Sequence, residues 1–550
     1  MDKRYLHSSK VAKGKQSRLG CGAAFGVAAT KAVGGPILAA VAGLALLAGS
    51  CMASPVVGLS TVPAISVGEE HMLLLKTDGS VWSWGQNYLD RLGQGPAGAT
   101  GALPKQVSGL SGMVSVAAGS SYSLALKADG TVWAWGNNAD GVFGTGRGGN
   151  VPTQVPGLSS IIGIDVGSKY SAFAVDLVGN AWGWGYNGYA NLGTGPSGSR
   201  EDVLAPQRIA GLSNIVDLRA GGVSAAALSA SGKAYTWGGF AFEPVSEVPG
   251  VSNAFAVSVD AVNTVHPHFA LLTSGRVVAW GDTNSPAARC SQSSAVPAPA
   301  DITGLSSIIS VASGVGVDLF LDSDGQAWSC GGGSDGQQGD GTAMGTNNSP
   351  AALKVGPLRV VQGSTRFVSI ATGSYASAAI AQDGSVWTWG RQTSYGLLGT
   401  GNLAASAPAV LAPAKIGVTA GDPTTAGPIF AGTQSAINST TGASSIDIGQ
   451  MFAPSHWQTV GKAYVVAILP DGAVYLRAAD ASWSQYDPAH ELPASYTGTL
   501  SGMLPISLGT ANWSVLAGTT FIVGYGLGVG AVADSEMLRS QRYGFVLTLR

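Results

Sequence analysis

The sequence predicts an all-β chain, a seven-bladed β-propeller followed by a small, separate β-sandwich-like module. Three observations carry that expectation. Glycine supplies 81 of 550 residues while only 11% are charged. Coiled coils and long surface helices need Glu, Lys and Arg in bulk, at or above the usual charged fraction of ~25%. An apolar fraction of 45% and a net charge of −2 argue against disorder. Second, a hairpin-like segment ending in Trp-Gly or Cys-Gly recurs seven times. Third, the copies keep a tight internal phase, the signature of a repeat array.

The residue before each closing glycine is Trp84, Trp135, Trp184, Trp237, Trp280, Cys330 or Trp389, at intervals of 43 to 59 residues. Five positions earlier stands Gly79, Gly130, Gly179, Gly232, Gly275, Gly325 or Gly384. A second glycine lies 16 positions before the Trp or Cys in five copies (Gly68, Gly119, Gly221, Gly314, Gly373) and 17 before it in one (Gly167). Asp-Gly between two apolar runs is a tight hairpin signal, because the turn needs positive φ and glycine adopts it without steric cost. Leu73 and Leu75 before the turn share a face, as do Trp82 and Trp84 after it. One small antiparallel sheet cannot bury both of its faces. Stacking seven in a closed ring buries them and removes open ends. The array is expected over 62–418.

The repeat Gly…Asp-Gly-x-Val-x-x-Trp-Gly-x-Asn…Leu-Gly-x-Gly resembles that of the regulator of chromosome condensation family. Its trailing element reads Leu92-Gly93-Gln94-Gly95, Phe143-Gly144-Thr145-Gly146, Leu192-Gly193-Thr194-Gly195 and Leu398-Gly399-Thr400-Gly401, with a weaker copy at Gln338-Gly339-Asp340-Gly341. Copies four and five lack it, which predicts rebuilt outer loops there. The resemblance implies the propeller fold, and function only loosely, because one fold hosts many functions. Nuclear members of the family are exchange factors for a small GTPase on chromatin. Secreted bacterial proteins of similar repeat type bind and inhibit β-lactamases.

The N-terminus reads as an export signal. Lys3, Arg4, Lys10, Lys13, Lys15, Arg18 and Lys31 face one acid, Asp2, and precede the apolar run 36–49 and small residues around Cys51. Cleavage after Ala53, or lipidation of Cys51 as a membrane anchor, are both open. Residues 1–53 are therefore expected to be a signal peptide, and the product periplasmic, an outer-membrane lipoprotein or extracellular. Without those residues the charge moves from −2 to −8. No basic patch remains, and no nucleic-acid partner is expected. Cys290 and Cys330 stay in the exported chain; oxidising surroundings permit a disulfide, but their spacing does not establish one.

Residues 419–445 are rich in Thr, Ser, Gly and Ala and read as a linker. Residues 446–550 carry alternating runs without the Trp-Gly close and read as a separate β module. Pro470-Asp471-Gly472 echoes a blade hairpin, and Glu536–Arg542 is the one candidate helical turn.

No catalytic residue, metal site or cofactor is expected. Gly332-Gly333-Ser334-Asp335-Gly336 fits G-x-S-x-G but stands at a repeat turn, away from any strand-to-helix elbow. Gly524 to Gly530 lacks a βαβ setting. His266-Pro267-His268 lacks a third ligand. What varies between copies is the segment after each Trp-Gly. Tyr88, Arg91, Tyr189, Phe240, Arg391 and Tyr395 are the candidate binding residues there, since Tyr and Arg are enriched in binding hot spots. The sequence thus predicts an exported, monomeric, non-enzymatic protein that binds a protein or a surface glycan with its rim. The alternatives are a hydrolase or lyase site in the funnel, and an exchange-factor-like activity implied by the resemblance alone.

Overall fold

The computed structural model describes most of residues 63–548. Residues 1–62 lie outside the described residues, as do internal segments including 260–267, 282–289, 343–356, 452–459, 512–519 and 528–542. The signal-like N-terminus, Cys51 and Glu536–Arg542 fall there.

Blade one shows how the repeat folds. Strands β1 (Ala64–Val67), β2 (His71–Leu75), β3 (Val81–Gly85) and β4 (Gly101–Gln106) pair antiparallel in chain order. At the β2–β3 turn, Asp78 Oδ1 accepts the backbone N–H of Ser80 at 2.9 Å and its hydroxyl at 2.6 Å, bending the chain around Gly79 at φ +75°. The Trp82 indole N–H then donates to Ser80 Oγ at 3.2 Å. Asp129, Thr131 and Trp133 repeat the arrangement, as do Asp383, Ser385 and Trp387.

Every residue of β2 is buried. Leu73 and Leu75 pack with Val116, Ala125 and Trp135 of the second blade, while Met72 and Leu74 pack with Ala376, Ala378 and Ile380 of the seventh. A strand buried on both faces reads as a continuous apolar run, which explains Met-Leu-Leu-Leu where alternation would otherwise be expected.

Among the described residues there are seven four-stranded sheets of this kind, beginning at Ala64, Met113, Ile161, Ile215, Ala254, Ile308 and Phe367. The seventh ends with Val410–Thr419. No blade borrows a strand from another. The ring closes by packing between the seventh blade and the first. At the innermost seam a Cβ on Gly373 would stand 2.4 Å from the Gly68 carbonyl oxygen, so only glycine allows the approach. The outermost strands carry Pro104, Pro152, Pro206, Pro244 and Pro299, which blunt edges that could otherwise pair with another chain.

Beyond the ring, Ile429–Ile437, Ser444–Met451 and Met503–Ala511 form a three-stranded sheet. A second sheet joins Trp483–Gln485, Val474–Arg477, Val460–Ile468, Thr520–Leu527 and Tyr543–Thr548, with Tyr496–Thr499 also pairing to Val460–Ile468. Tyr475 pairs with Ala467 in this sheet and with no blade. The linker reading of 419–445 is corrected here, because residues 429–437 are a strand in register with 444–451. The segment has no proline and no charge after Gly427-Pro428, so its composition leaves the backbone free to pair.

Candidate binding rim

The loops after each third strand lie on one face of the ring, because antiparallel order sends every β3–β4 connection to the same side. Their foundation is a bond between neighbouring blades. The Trp135 indole N–H donates to the Arg91 carbonyl at 2.9 Å, Trp184 to Val142 at 2.7 Å and Trp237 to Asn191 at 2.8 Å. Trp389 donates to Gln337 at 2.7 Å, and across the closure Trp84 donates to Leu397 at 3.0 Å. Each acceptor immediately precedes the first residue of a Leu-Gly-x-Gly element or its variant. The element in one blade therefore receives the tryptophan of the next. A Cβ on Gly93 would strike the Trp135 ring at 2.6 Å.

Copies four and five lack the element, and the following blades use other partners. Trp280 stacks on His268 with ring centroids 5.5 Å apart. Cys330 is bonded to Cys290 of the preceding blade's outer connection, with Cα atoms 5.4 Å apart.

The expected binding residues divide on this scaffold. Tyr88 is 65% exposed, on a short 3₁₀ turn in which Leu89 has φ +59°. Arg391 is exposed and lies over the Tyr375 ring at 5.1 Å. Arg91 is corrected: it is 2% exposed and works inside the structure. Its Nε donates to the Tyr88 carbonyl at 2.9 Å, Nη1 to the Ser120 carbonyl at 2.8 Å and Nη2 to Ser121 Oγ at 3.2 Å. Nη1 also pairs with Glu70 Oε2 at 3.2 Å. Tyr395 is half-buried and donates its hydroxyl to Glu70 Oε1 at 3.0 Å, joining the seventh blade to the first. Arg91 and Tyr395 thus share one carboxylate at the seam.

Blades three and four carry the densest aromatic surface. After Trp237 the chain turns within Gly239–Phe242, the Phe242 N–H donating to the Gly239 carbonyl at 3.0 Å, and enters its outer strand at once. With the outer loop shortened, Phe240 is 48% exposed. It meets Tyr189 edge-on at 5.3 Å, and Tyr189 meets Tyr186 at 6.1 Å. Arg200 lies over Phe242 at 5.0 Å. Arg200 belongs to no motif, so the sequence reading missed it. Leu103 and Leu204, exposed on outer strands, were missed for the same reason. His268, half of the His-Pro-His pair, is buried against Trp280.

Seven four-stranded sheets and their interlocking loops define a β-propeller repeat protein. Several of its repeats match the regulator of chromosome condensation (RCC1) repeat: one description of that repeat matches residues 78–126, 129–174 and 178–228, and a second matches 64–91, 113–142 and 367–396. Human protein RCC2 is 42% identical over 78 residues, covering 14% of this chain and 15% of its own. Human E3 ubiquitin-protein ligase HERC2 is 31% identical over 211 residues, covering 34% of this chain and 4% of its own. The matched stretches are thus small parts of those relatives. Among solved structures, Prp20p from Saccharomyces cerevisiae, described with its binding properties to Gsp1p and histones, aligns with a TM-score of 0.53 at 20% identity, covering 68% of this chain and 90% of that one. Yeast RCC1 (Prp20) in its complex with Kap60 aligns with a TM-score of 0.52 at 19% identity, covering 70% and 91%. Likeness at these identities shows the fold.

Proposed function

We propose that this chain is an exported, non-enzymatic binding protein whose propeller rim docks a protein partner. The observation that carries the reading is the aromatic cluster of Tyr186, Tyr189 and Phe240, followed two residues on by Phe242 beneath Arg200, where blade four's loop is cut short. Exposed aromatic side chains beside an arginine have the composition of an interface anchor. Proteins built on the same ring support it, since yeast Prp20 is described binding Gsp1p, histones and Kap60. The basic stretch and apolar run of the N-terminus support export.

The test is capture of partners by the chain without residues 1–53, identified by mass spectrometry, then affinity measurements on alanine variants. Tyr189→Ala or Phe240→Ala should weaken the recovered partner by about 2 kcal/mol, near thirtyfold, with the ring still folded. Full affinity in both stable variants would place the binding surface elsewhere.

A further inference from the structure

The seven innermost strands surround a central cavity of about 550 Å³, a size that suits a small-molecule ligand. At one register position, five blades place Ser66, Ala117, Ser258, Ala312 and Ala371. The same position holds Asp165 in blade three and Arg219 in blade four. Asp217 stands two residues before Arg219, and its Oδ1 lies 3.2 Å from Arg219 Nη2.

The structural work of Asp165 does not need its charge. Its Oδ2 accepts the backbone N–H of Ala220 in the next blade at 2.8 Å. In blade one Ser66 Oγ makes the same cross-blade bond, accepting the N–H of Ala118 at 2.9 Å. Among the described residues lining the cavity, the charged ones are Glu69, Asp165, Asp217 and Arg219, three acids against one base. A net negative charge in a confined, low-dielectric channel focuses the field and concentrates cations.

We propose that the central channel is a binding site for a small organic cation, a primary ammonium or guanidinium compound, whose charged end is held by Asp165 beside the Arg219–Asp217 pair. Burial pushes the Asp165 carboxyl up to about 6, with Arg219 opposing the rise and Asp217 adding to it. The Tyr122 hydroxyl, which also feels Asp165, is held neutral by burial. Cation binding therefore weakens as the pH falls through about 6.

The probe is butylguanidinium, with the uncharged near-isostere butylurea as control, titrated calorimetrically into the full chain. The expected result is saturable one-site binding of the guanidinium and at least about tenfold weaker binding of the urea. Asp165→Asn should lose about tenfold in affinity with no loss of melting temperature, because the amide oxygen still accepts the Ala220 N–H and a buried charge is removed. Arg219→Gln should bind more tightly, having lost the competing cation. Should Asp165→Asn fail to fold, Asp165→Ser, which copies blade one, replaces it in the same comparison. No saturable binding, equal affinity for guanidinium and urea, or full affinity in the Asp165 variant would overturn the proposal.

Discussion

Cys330 is bonded to Cys290 at the point of the ring where five other blades set an indole N–H on the carbonyl of the preceding blade's loop. The substitution follows from the neighbouring blade. Blade five has no Leu-Gly-x-Gly element, so a tryptophan in blade six would meet no prepared carbonyl. A covalent bond to that blade's own connection joins the two instead.

The disulfide should therefore matter to stability. It closes a separation of 40 residues, for which chain entropy gives about 4 kcal/mol. Cys290→Ser/Cys330→Ser, or reduction of the unmodified chain, should lower the melting temperature clearly. Identical unfolding curves with and without reductant would show that the bond adds nothing to the ring.

Two glycines separate turn strain from crowding. Gly130 and Gly109 have φ of +79° and +81°. A Cβ on Gly130 would stand 2.8 Å from Ser160 Cα, whereas one on Gly109 meets nothing within 4 Å. Gly130→Val should cost strain of ~1–3 kcal/mol plus displacement of the next blade's backbone. Gly109→Ala should show the strain alone. Chemical denaturation of the two variants checks this, and equal losses would mean that the Ser160 contact carries no cost.

Acid stability should depend on His71. This imidazole is fully buried and holds Ser123 Oγ at 2.8 Å. Burial, then the Arg91 cation, pushes its pKa down to about 3 from 6.5. Between those values the unfolded chain binds the proton and the folded chain does not, so stability falls as the pH drops below about 6.5, by up to about 1.4 kcal/mol per unit. Asp165, raised to about 6, runs the other way, because the folded state holds its proton while the unfolded carboxyl has released it. His71→Gln should flatten the acid side of the profile. A variant whose melting temperature keeps the parent's pH slope would remove His71 from the account.

Three side chains at the seam should respond differently to truncation. Tyr88→Ala should leave stability within ~0.5 kcal/mol, as a surface change. Tyr395→Phe removes the hydrogen bond to Glu70 and should cost ~1 kcal/mol. Arg91→Ala leaves Glu70 and the Ser120 carbonyl without their cation and should cost ~3 kcal/mol. Thermal unfolding of the three orders them, and a fully stable Arg91→Ala would return that residue to the list of binding candidates.

The blade count and turn positions were legible because Asp-Gly and Trp-Gly impose backbone geometry that few other residues satisfy. Gly79 and Gly384, at φ +75° and +76°, are two such places. The partner of each tryptophan was legible only in part. The absence of Leu-Gly-x-Gly from copies four and five was visible, but not that the element receives the next blade's indole, so the Cys290–Cys330 bond stayed open. Arg91 was misread because its loop position is exposed in pattern while its side chain points back to the ring. The strand at 429–437 was hidden because Ser, Thr, Ala and Gly suit linkers and sheets alike. Asp165 and Arg219 were passed over because single charges in β runs acquire meaning only when the register sets them side by side.

Each blade completes its hydrogen-bonded ladder within one uninterrupted stretch of chain, and the first meets the last through side chains, glycine contacts and isolated backbone hydrogen bonds such as Thr77 N–H to the Ala420 carbonyl at 2.9 Å. Severing the chain between any two blades therefore breaks no ladder. Joining residues near 63 and 421 while opening a new pair of ends elsewhere would preserve all seven sheets. The ring is circularly permutable by construction, with a seam but no obligatory first blade.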